Sequence, residues 1–288
     1  MHWLRAPAKI NLTLRVIGRR SDGYHELESL IAFSGVCDWI GFEPGRDLGL
    51  EVLGPRAVEA GPVDQNLVLR AARALAAHVP GVPLGGFRLV KRLPAAAGLG
   101  GGSADAAAAL RLLANEARLT VDDPRVCAAA RATGADVLAC LRPHARVMTG
   151  VGDQLGPAVP LPKMSAVLVN PRVEAPTPKV FAALGLAPGS ALESSAQSLD
   201  ALQHGKAAIL HLLASSRNDL EAAAVRVAPA IALVRERLAR LPKTIATGMS
   251  GSGATCFALF SNRRRAALAR RLVAAERPDW WVVATAIS

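Results

Sequence analysis

The sequence reads as a mixture of strands and helices compatible with an α+β fold, and three observations carry that reading. Residues 8–16 alternate, with Ile10, Leu12, Leu14 and Val16 on one side and Lys9, Asn11, Thr13 and Arg15 on the other, the period of a half-buried strand whose polar side is either solvated, as base rates favour, or part of a site. Residues 93–106 read L-P-A-A-A-G-L-G-G-G-S-A-D-A, a glycine loop set between a strand-like run and an alanine-rich helical run. Near 150–162 the composition shifts and Pro157, Pro160 and Pro162 crowd together, which marks a linker and divides the chain into residues 1–158 and 159–288. A chain of 288 residues, 51% hydrophobic, has enough apolar content for a real core and can hold one large domain or two of ordinary size.

The net charge is +11, but the basic residues are scattered and the one tight run is Arg263–Arg265. Anionic partners from small phosphorylated compounds to nucleic acid fit such a surface, as does a generally basic solvated one. Four cysteines lie far apart with no C-x-x-C spacing, so small buried thiols are expected rather than a zinc site or disulfides. With no apolar run near the length of a membrane span and no charged leader followed by an apolar stretch, the expectation is a soluble, cytoplasmic protein.

Ser21-Asp22-Gly23 is a turn signal, followed at once by Tyr24, the lone tyrosine, and His25. An aromatic beside an imidazole suits a flat heterocycle, although a loop histidine that caps a backbone group is an equal reading. Strands are expected at 27–33, 39–42 and 48–53. Asp64-Gln65-Asn66 starts a helix with Leu67, Ala71, Leu75 and His78 on one face, and Pro80 stops it. A strand at 87–92 runs into the glycine loop; Lys91 there is either a phosphate ligand or a solvated strand-end lysine.

Helix follows from Ala104, then again from about 123 to 133, and Gly134-Ala135-Asp136 precedes the apolar run 137–141. Asp136 reads either as a turn cap or as a carboxylate poised at the edge of a buried segment. Beyond the linker come a strand at 164–170, a rigid turn at 174–178 leading to a short helix with Phe181, and a polar loop at 188–204. Helices at 205–216, 218–227, 229–240 and 262–275 and strands at 244–247, 254–260 and 281–287 complete the chain, with a second glycine loop at 248–253.

The glycine loop carries the chemistry. Glycines permit positive φ and close approach of backbone to a ligand. Ser103 is expected to cap the helix that follows. A helix start presents unbonded N–H groups and partial positive charge to an anion such as phosphate. The Walker loop does not fit, since no lysine follows these glycines, and the dinucleotide fingerprint fails because Ser103 stands at its last glycine.

Taken together, Ala8-Lys9-Ile10-Asn11-Leu12, Asp22-Gly23-Tyr24-His25, residues 93–106, Gly134-Ala135-Asp136-Val137, Pro176-Thr177-Pro178 and Gly248–Gly253 resemble the GHMP kinase superfamily over nearly the whole chain. They are closest to the branch that phosphorylates a diphosphocytidyl methylerythritol in non-mevalonate isoprenoid synthesis. The resemblance implies an N-terminal domain similar to ribosomal protein S5 domain 2, which binds the nucleotide, and a C-terminal ferredoxin-like domain. It implies ATP and Mg²⁺ as cofactors, a small-molecule acceptor, and neither nucleic acid nor membrane as partner. Lys9 and Asp136 match the family's catalytic pair. Lys91, Pro94, Gly98, Leu99, Gly100, Gly101, Gly102 and Ser103 fall on its nucleotide segment. Tyr24, His25 and Phe181 match residues that hold a cytosine ring, and Asn11 and Thr177 match residues near the substrate. The chain departs from the family pattern at Val137–Cys140 and at Ala95–Ala97. A kinase of another branch and a basic nucleic-acid binder are the competing readings.

Overall fold

In a computed structural model, residues 1–192, 202 and 204–288 are described. Along the chain run β1 (His2–Asn11), β2 (Arg15–Arg19), β3 (His25–Pro44), β4 (Gly49–Leu53), α1 (Leu67–His78), β5 (Gly85–Val90), α2 (Gly101–Glu116), α3 (Pro124–Thr133), α4 (Ala135–Leu141), β6 (Arg146–Gly150), β7 (Gln154–Ala158) and β8 (Met164–Asn170). Then come α5 (Thr177–Ala182), α6 (Gly205–Ser215), α7 (Glu221–Val227), α8 (Ala230–Ala239), β9 (Ala246–Met249), β10 (Cys256–Phe260), α9 (Arg263–Glu276) and β11 (Trp281–Ile287). The chain forms two compact units, each assembled from separate stretches: Met1–Lys9, Val36–Ala95 and Gly100–Pro143 in the first, Ile10–Gly35, Ala96–Leu99 and His144–Ser288 in the second.

In the first unit β5 pairs antiparallel with the end of β3, Trp39 opposite Val90, and parallel with β4. The rings of Phe42 and Phe87 meet at 4.8 Å and both are buried. Asn66 accepts a bond from the Val68 N–H and caps α1, which buries Val68, Leu69, Ala71, Ala72 and Leu75. Helix α1 packs on α2 and α3, and α2 packs on α4. Every residue from Ala104 to Leu110 is buried, Asp105 being the one charged side chain among them: this stretch of α2 is a core segment, and alanine allows its neighbours to approach closely.

In the second unit β8 lies between β10 and β11, with β9 beyond β10, all antiparallel. Val167, Val169, Phe260, Ile231, Val234, Leu238, Val273 and Trp280 form its core. Strand β2 pairs with the start of β3 through an irregularity between Val16 and Gly18, and β6 pairs with both β3 and β7.

Several sequence expectations change. The alternation at 8–16 is split between β1 and β2, and its polar side is not solvated: Lys9, Asn11, Thr13 and Arg15 are all buried. Burial is tolerated because partners are present, among them the Thr13 hydroxyl accepting from the Leu30 N–H and Arg15 pairing with Asp219 at 3.0 Å. The strands expected at 27–33 and 39–42 are one continuous strand, β3. Residues 150–162 are largely the β6–β7 hairpin rather than a linker.

Helix α2 starts at Gly101 with Gly100 as its N-cap, so Ser103 is not the cap. Glycines cost least in the first turn, where the helix has not yet closed its bonds. Of the loop expected at 188–204, Gly189–Leu192 bonds along Arg19 and Ile17, and residues 193–201 and 203 lie outside the described set. No helix among the described residues is long and apolar enough to cross a membrane.

All four cysteines are free; Cys37, Cys140 and Cys256 are buried and Cys127 is half-buried. Burial pushes the Cys140 and Cys256 thiols up to about 12. With a maleimide at pH 8, Cys127 is expected to react in the native protein and all four cysteines only after denaturation, read by mass spectrometry. Rapid native labelling of Cys140 would contradict this packing.

Candidate active site

In the first unit, Lys9 near the end of β1 and Asp136 in the first turn of α4 form an ion pair, Nζ to Oδ1 3.1 Å. Lys9 is buried; the Asp136 carboxylate is 36% exposed and so open to a ligand. Gly100 adopts a φ of +59°. A Cβ placed on it would lie 3.4 Å from the Lys9 side chain and 3.9 Å from Asp136 Oδ2, so the start of α2 abuts the pair. The Gly100 carbonyl accepts the first helical bond, from the Ala104 N–H. The N–H groups of Gly101, Gly102 and Ser103 therefore have no carbonyl within the helix to bond. Val137, Ala139 and Cys140, part of the departure from the family pattern, are buried behind Asp136, where α4 meets α2.

Lys91 is not presented to solvent as a phosphate ligand would be. Its ammonium lies 2.5 Å from Asp38 Oδ2 and 2.8 Å from Asp105 Oδ2, and all three side chains are buried. Burial by itself lowers the pKa of Lys91, but Asp105 and Asp38 outweigh it and the net direction is up. Of the two sequence readings of Lys91, the solvated strand-end lysine does not hold, because two carboxylates pair with its buried ammonium. Pro94 is buried, and the N–H of Ala95 donates to Glu59 Oε2.

Asp38 and Asp105 were not singled out from the sequence. Asp105 had a signal, as the sole charged residue in the run from 104 to 110. A lone carboxylate inside an apolar helix needs a buried partner.

In the second unit, Gly98 (φ +71°) is tied to the second glycine loop: its carbonyl accepts from Ser250 Oγ at 2.7 Å, and the same oxygen accepts from the Asn11 N–H. The Ala97 carbonyl accepts from the Thr255 N–H, and Leu99 is buried. Asn11 donates its amide to Ser29 Oγ at 2.7 Å. Asn218, also missed, donates to the carbonyls of Met249 and Gly251 and fixes that loop. Thr177 Oγ1 lies 2.8 Å from Ser252 Oγ.

His25 and Phe181 meet ring to ring at 4.7 Å, tilted by 32°. His25 Nε2 is buried with no hydrogen-bond partner among the described residues, and burial first, then Arg19, lowers its pKa. Neighbouring Tyr24 is 66% exposed. The expected residues therefore fall into two groups: Lys9, Lys91, Pro94, Gly100–Ser103 and Asp136 in the first unit, and Asn11, Tyr24, His25, Gly98, Leu99, Thr177 and Phe181 in the second.

Residues 66–143 match the family model of the GHMP kinase N-terminal domain, and residues 198–277 that of the GHMP kinase C-terminal domain. The chain belongs to the GHMP kinase family. This GHMP kinase is 57% identical to a 4-diphosphocytidyl-2-C-methyl-D-erythritol kinase of Xanthobacter autotrophicus, over 98% of this chain and 97% of that one. It is 53% identical to a Methylorubrum extorquens protein of the same name, over 99% and 98% of the two chains. A crystal structure of 4-(cytidine 5'-diphospho)-2C-methyl-D-erythritol kinase, 35% identical, matches with a TM-score of 0.75 over 100% of this chain and 99% of that one. The homoserine kinase of Cytophaga hutchinsonii, 18% identical with a TM-score of 0.68 over 99% and 94%, shares the fold. The two-domain GHMP kinase fold with mixed α and β content follows.

A methyl group at Gly98 would fall 2.3 Å from the Ser250 carbonyl oxygen and 2.8 Å from that of Gly253, at a positive φ. Left-handed strain alone is about 1–2 kcal/mol. Gly98→Ala is expected to lose at least about 2 kcal/mol in urea unfolding, whereas a wild-type midpoint would mean that this turn is loosely held.

Proposed function

We propose that this GHMP kinase transfers the γ-phosphoryl group of ATP to the 2-hydroxyl of 4-diphosphocytidyl-2-C-methyl-D-erythritol. The observation that carries the reading is the Lys9–Asp136 pair, 3.1 Å apart, set against Gly100 at the start of α2. ATP is the phosphate donor throughout the GHMP kinases, and curated relatives above 50% identity carry the name of this reaction.

Phosphoryl transfer has a loose transition state, so the protein mainly positions groups and stabilises charge. The N–H groups of Gly101, Gly102 and Ser103 would hold terminal phosphate oxygens at the positive end of α2. Asp136 would orient the 2-hydroxyl and accept its proton as the hydroxyl oxygen bonds to the γ-phosphorus. The bond from phosphorus to the β–γ bridging oxygen breaks, and its electron pair leaves with ADP. Lys9 would hold the carboxylate in place and offset charge on the transferring group.

Among the described residues no group of three or more His, Cys, Asp or Glu side chains is arranged to hold a metal ion. Bound together with the nucleotide, Mg²⁺ would supply charge neutralisation beside the start of α2.

The cytosine ring would lie at the His25–Phe181 pair with exposed Tyr24 stacking on it, and His25 Nε2, without a hydrogen-bond partner among the described residues, would meet its polar edge. The protein would act in the cytoplasm on a small molecule, with neither nucleic acid nor membrane as partner.

The direct test is ADP release with and without the diphosphocytidyl substrate; release no faster with substrate than without it would end the assignment. Asp136→Asn is expected to bind ATP yet lose at least about 100-fold in kcat, and near-normal turnover would remove Asp136 from the chemistry. Tyr24→Ala should raise KM for the cytidine substrate by roughly 1–3 kcal/mol of lost stacking. Because the pKa of His25 lies below its ordinary 6.5, the imidazole is neutral at pH 7. Substrate affinity should stay flat from pH 8 down through 6.5 and fall only below that as the ring gains a proton. A loss beginning near pH 7.5 would exclude this role.

A further inference from the structure

Three ionisable side chains are buried together at the foot of α2. Lys91 Nζ touches both Asp38 Oδ2 and Asp105 Oδ2, and the three residues are 4%, 0% and 1% exposed. Taking such charges out of water costs several kcal/mol each, and an apolar trio of equal volume is often at least as stable. Stability is therefore a weak reason for them.

Their placement supplies a better one. Asp105 lies on the second turn of α2. Asp38 Oδ1 accepts from the backbone N–H groups of Arg92 and Leu93, where the chain leaves β5. A Cβ on Gly101 would come within 3.2 Å of Lys91 Nζ. The cluster thus grips the chain both before the glycine segment and at the helix start.

Its charge does not balance if both carboxyls are ionised, since two aspartates face one lysine. Asp105 Oδ1 is buried and has no hydrogen-bond partner among the described residues, an awkward state for an ionised carboxylate. Burial raises the pKa of Asp105 to about 7, despite Lys91, which pulls it down. The ionisable groups acting on Asp105 are Lys91, Asp38 on β3 and, across from α4, the Cys140 thiol, which stays neutral to about 12.

We propose that Asp38, Lys91 and Asp105 are positioning residues for nucleotide binding, and that they serve as a net-neutral set, one ion pair plus Asp105 carrying a proton. The inference rests on the reading of the α2 start as the phosphate site. Ionising Asp105 places a net negative charge one turn behind that start and opposes the polyphosphate. By linkage, bound nucleotide favours the protonated form, so ATP binding near neutrality draws in a proton.

The test is calorimetric titration of the enzyme with ATP in excess Mg²⁺, from pH 6 to 8.5, in buffers of different ionisation heat. Wild type is expected to take up a fraction of a proton at pH 7–7.5 and to lose roughly fivefold or more in affinity across the range. Asp105→Asn, neutral at every pH, should lack that uptake and show affinity independent of pH; Asp105→Ser serves the same purpose if the Asn protein does not fold. Asp105→Ala, which leaves Lys91 one partner, should raise KM for ATP more than it lowers kcat.

Wild-type binding without proton uptake, or an Asn variant with the wild-type pH dependence, overturns the proposal. Gly102→Val separates the two readings. Gly102 is exposed, and a Cβ there meets only Leu67, at 3.4 Å. If that variant binds ATP as wild type does, the phosphate-site reading fails and this inference with it. If it binds weakly while wild type takes up no proton, the cluster inference alone fails.

Discussion

The start of α2 has to be bare and yet fixed. A helix end that offers N–H groups to an anion must leave them unbonded, and a helix end with unbonded groups frays unless something else holds it. Much of the first unit answers that demand. Glycines occupy the N-cap and the first turn, so no side chain covers the amides. The alanine run behind them is buried on every side, which anchors the helix by packing. The Lys91 cluster clamps the backbone at Arg92 and Leu93, and Lys9 with Asp136 lies against Gly100.

The second unit meets a similar demand by hydrogen bonds rather than charge. Ser250 bridges the Asn11 N–H and the Gly98 carbonyl, and Asn218 holds two carbonyls of the second glycine loop. Neutral bonds of this kind contribute about 1 kcal/mol each, but here they set the path of a loop in which Met249 is the one apolar side chain that packs into the core. The His25–Phe181 pair is different again: an apolar platform with one polar atom left over. The chain has few aromatic residues, and His25 of this pair stands beside the lone tyrosine in sequence.

Local pattern carried most of the secondary structure. Helices α3 and α9 begin at side-chain caps, Asp123 and Asn262, and β8 and β11 run where their apolar stretches run. Pattern failed where burial overrode it. The polar side of residues 9–15 reads as a solvated strand face, yet distant partners such as Asp219 make it interior. Proline crowding at 157–162 reads as a linker, but a proline at a strand edge costs little, and β7 pairs with β6 there. Ser103 looks like a cap by type; with glycine able to take the left-handed angle at Gly100, the helix begins earlier.

By itself the sequence determined the residue types and their spacing: glycines before an alanine helix, a lysine on the first strand, an aspartate before an apolar run, and the family these match. Spacing along a chain is a one-dimensional fact. Which carboxylate meets which lysine is three-dimensional, and only the tertiary structure decided it. Lys9 found Asp136, 127 positions away, while Lys91, the residue nearer the glycines, was drawn inward by Asp38 and Asp105. The physical reason is that a buried charge takes the partner that the packing brings to it, and packing is settled by the whole core.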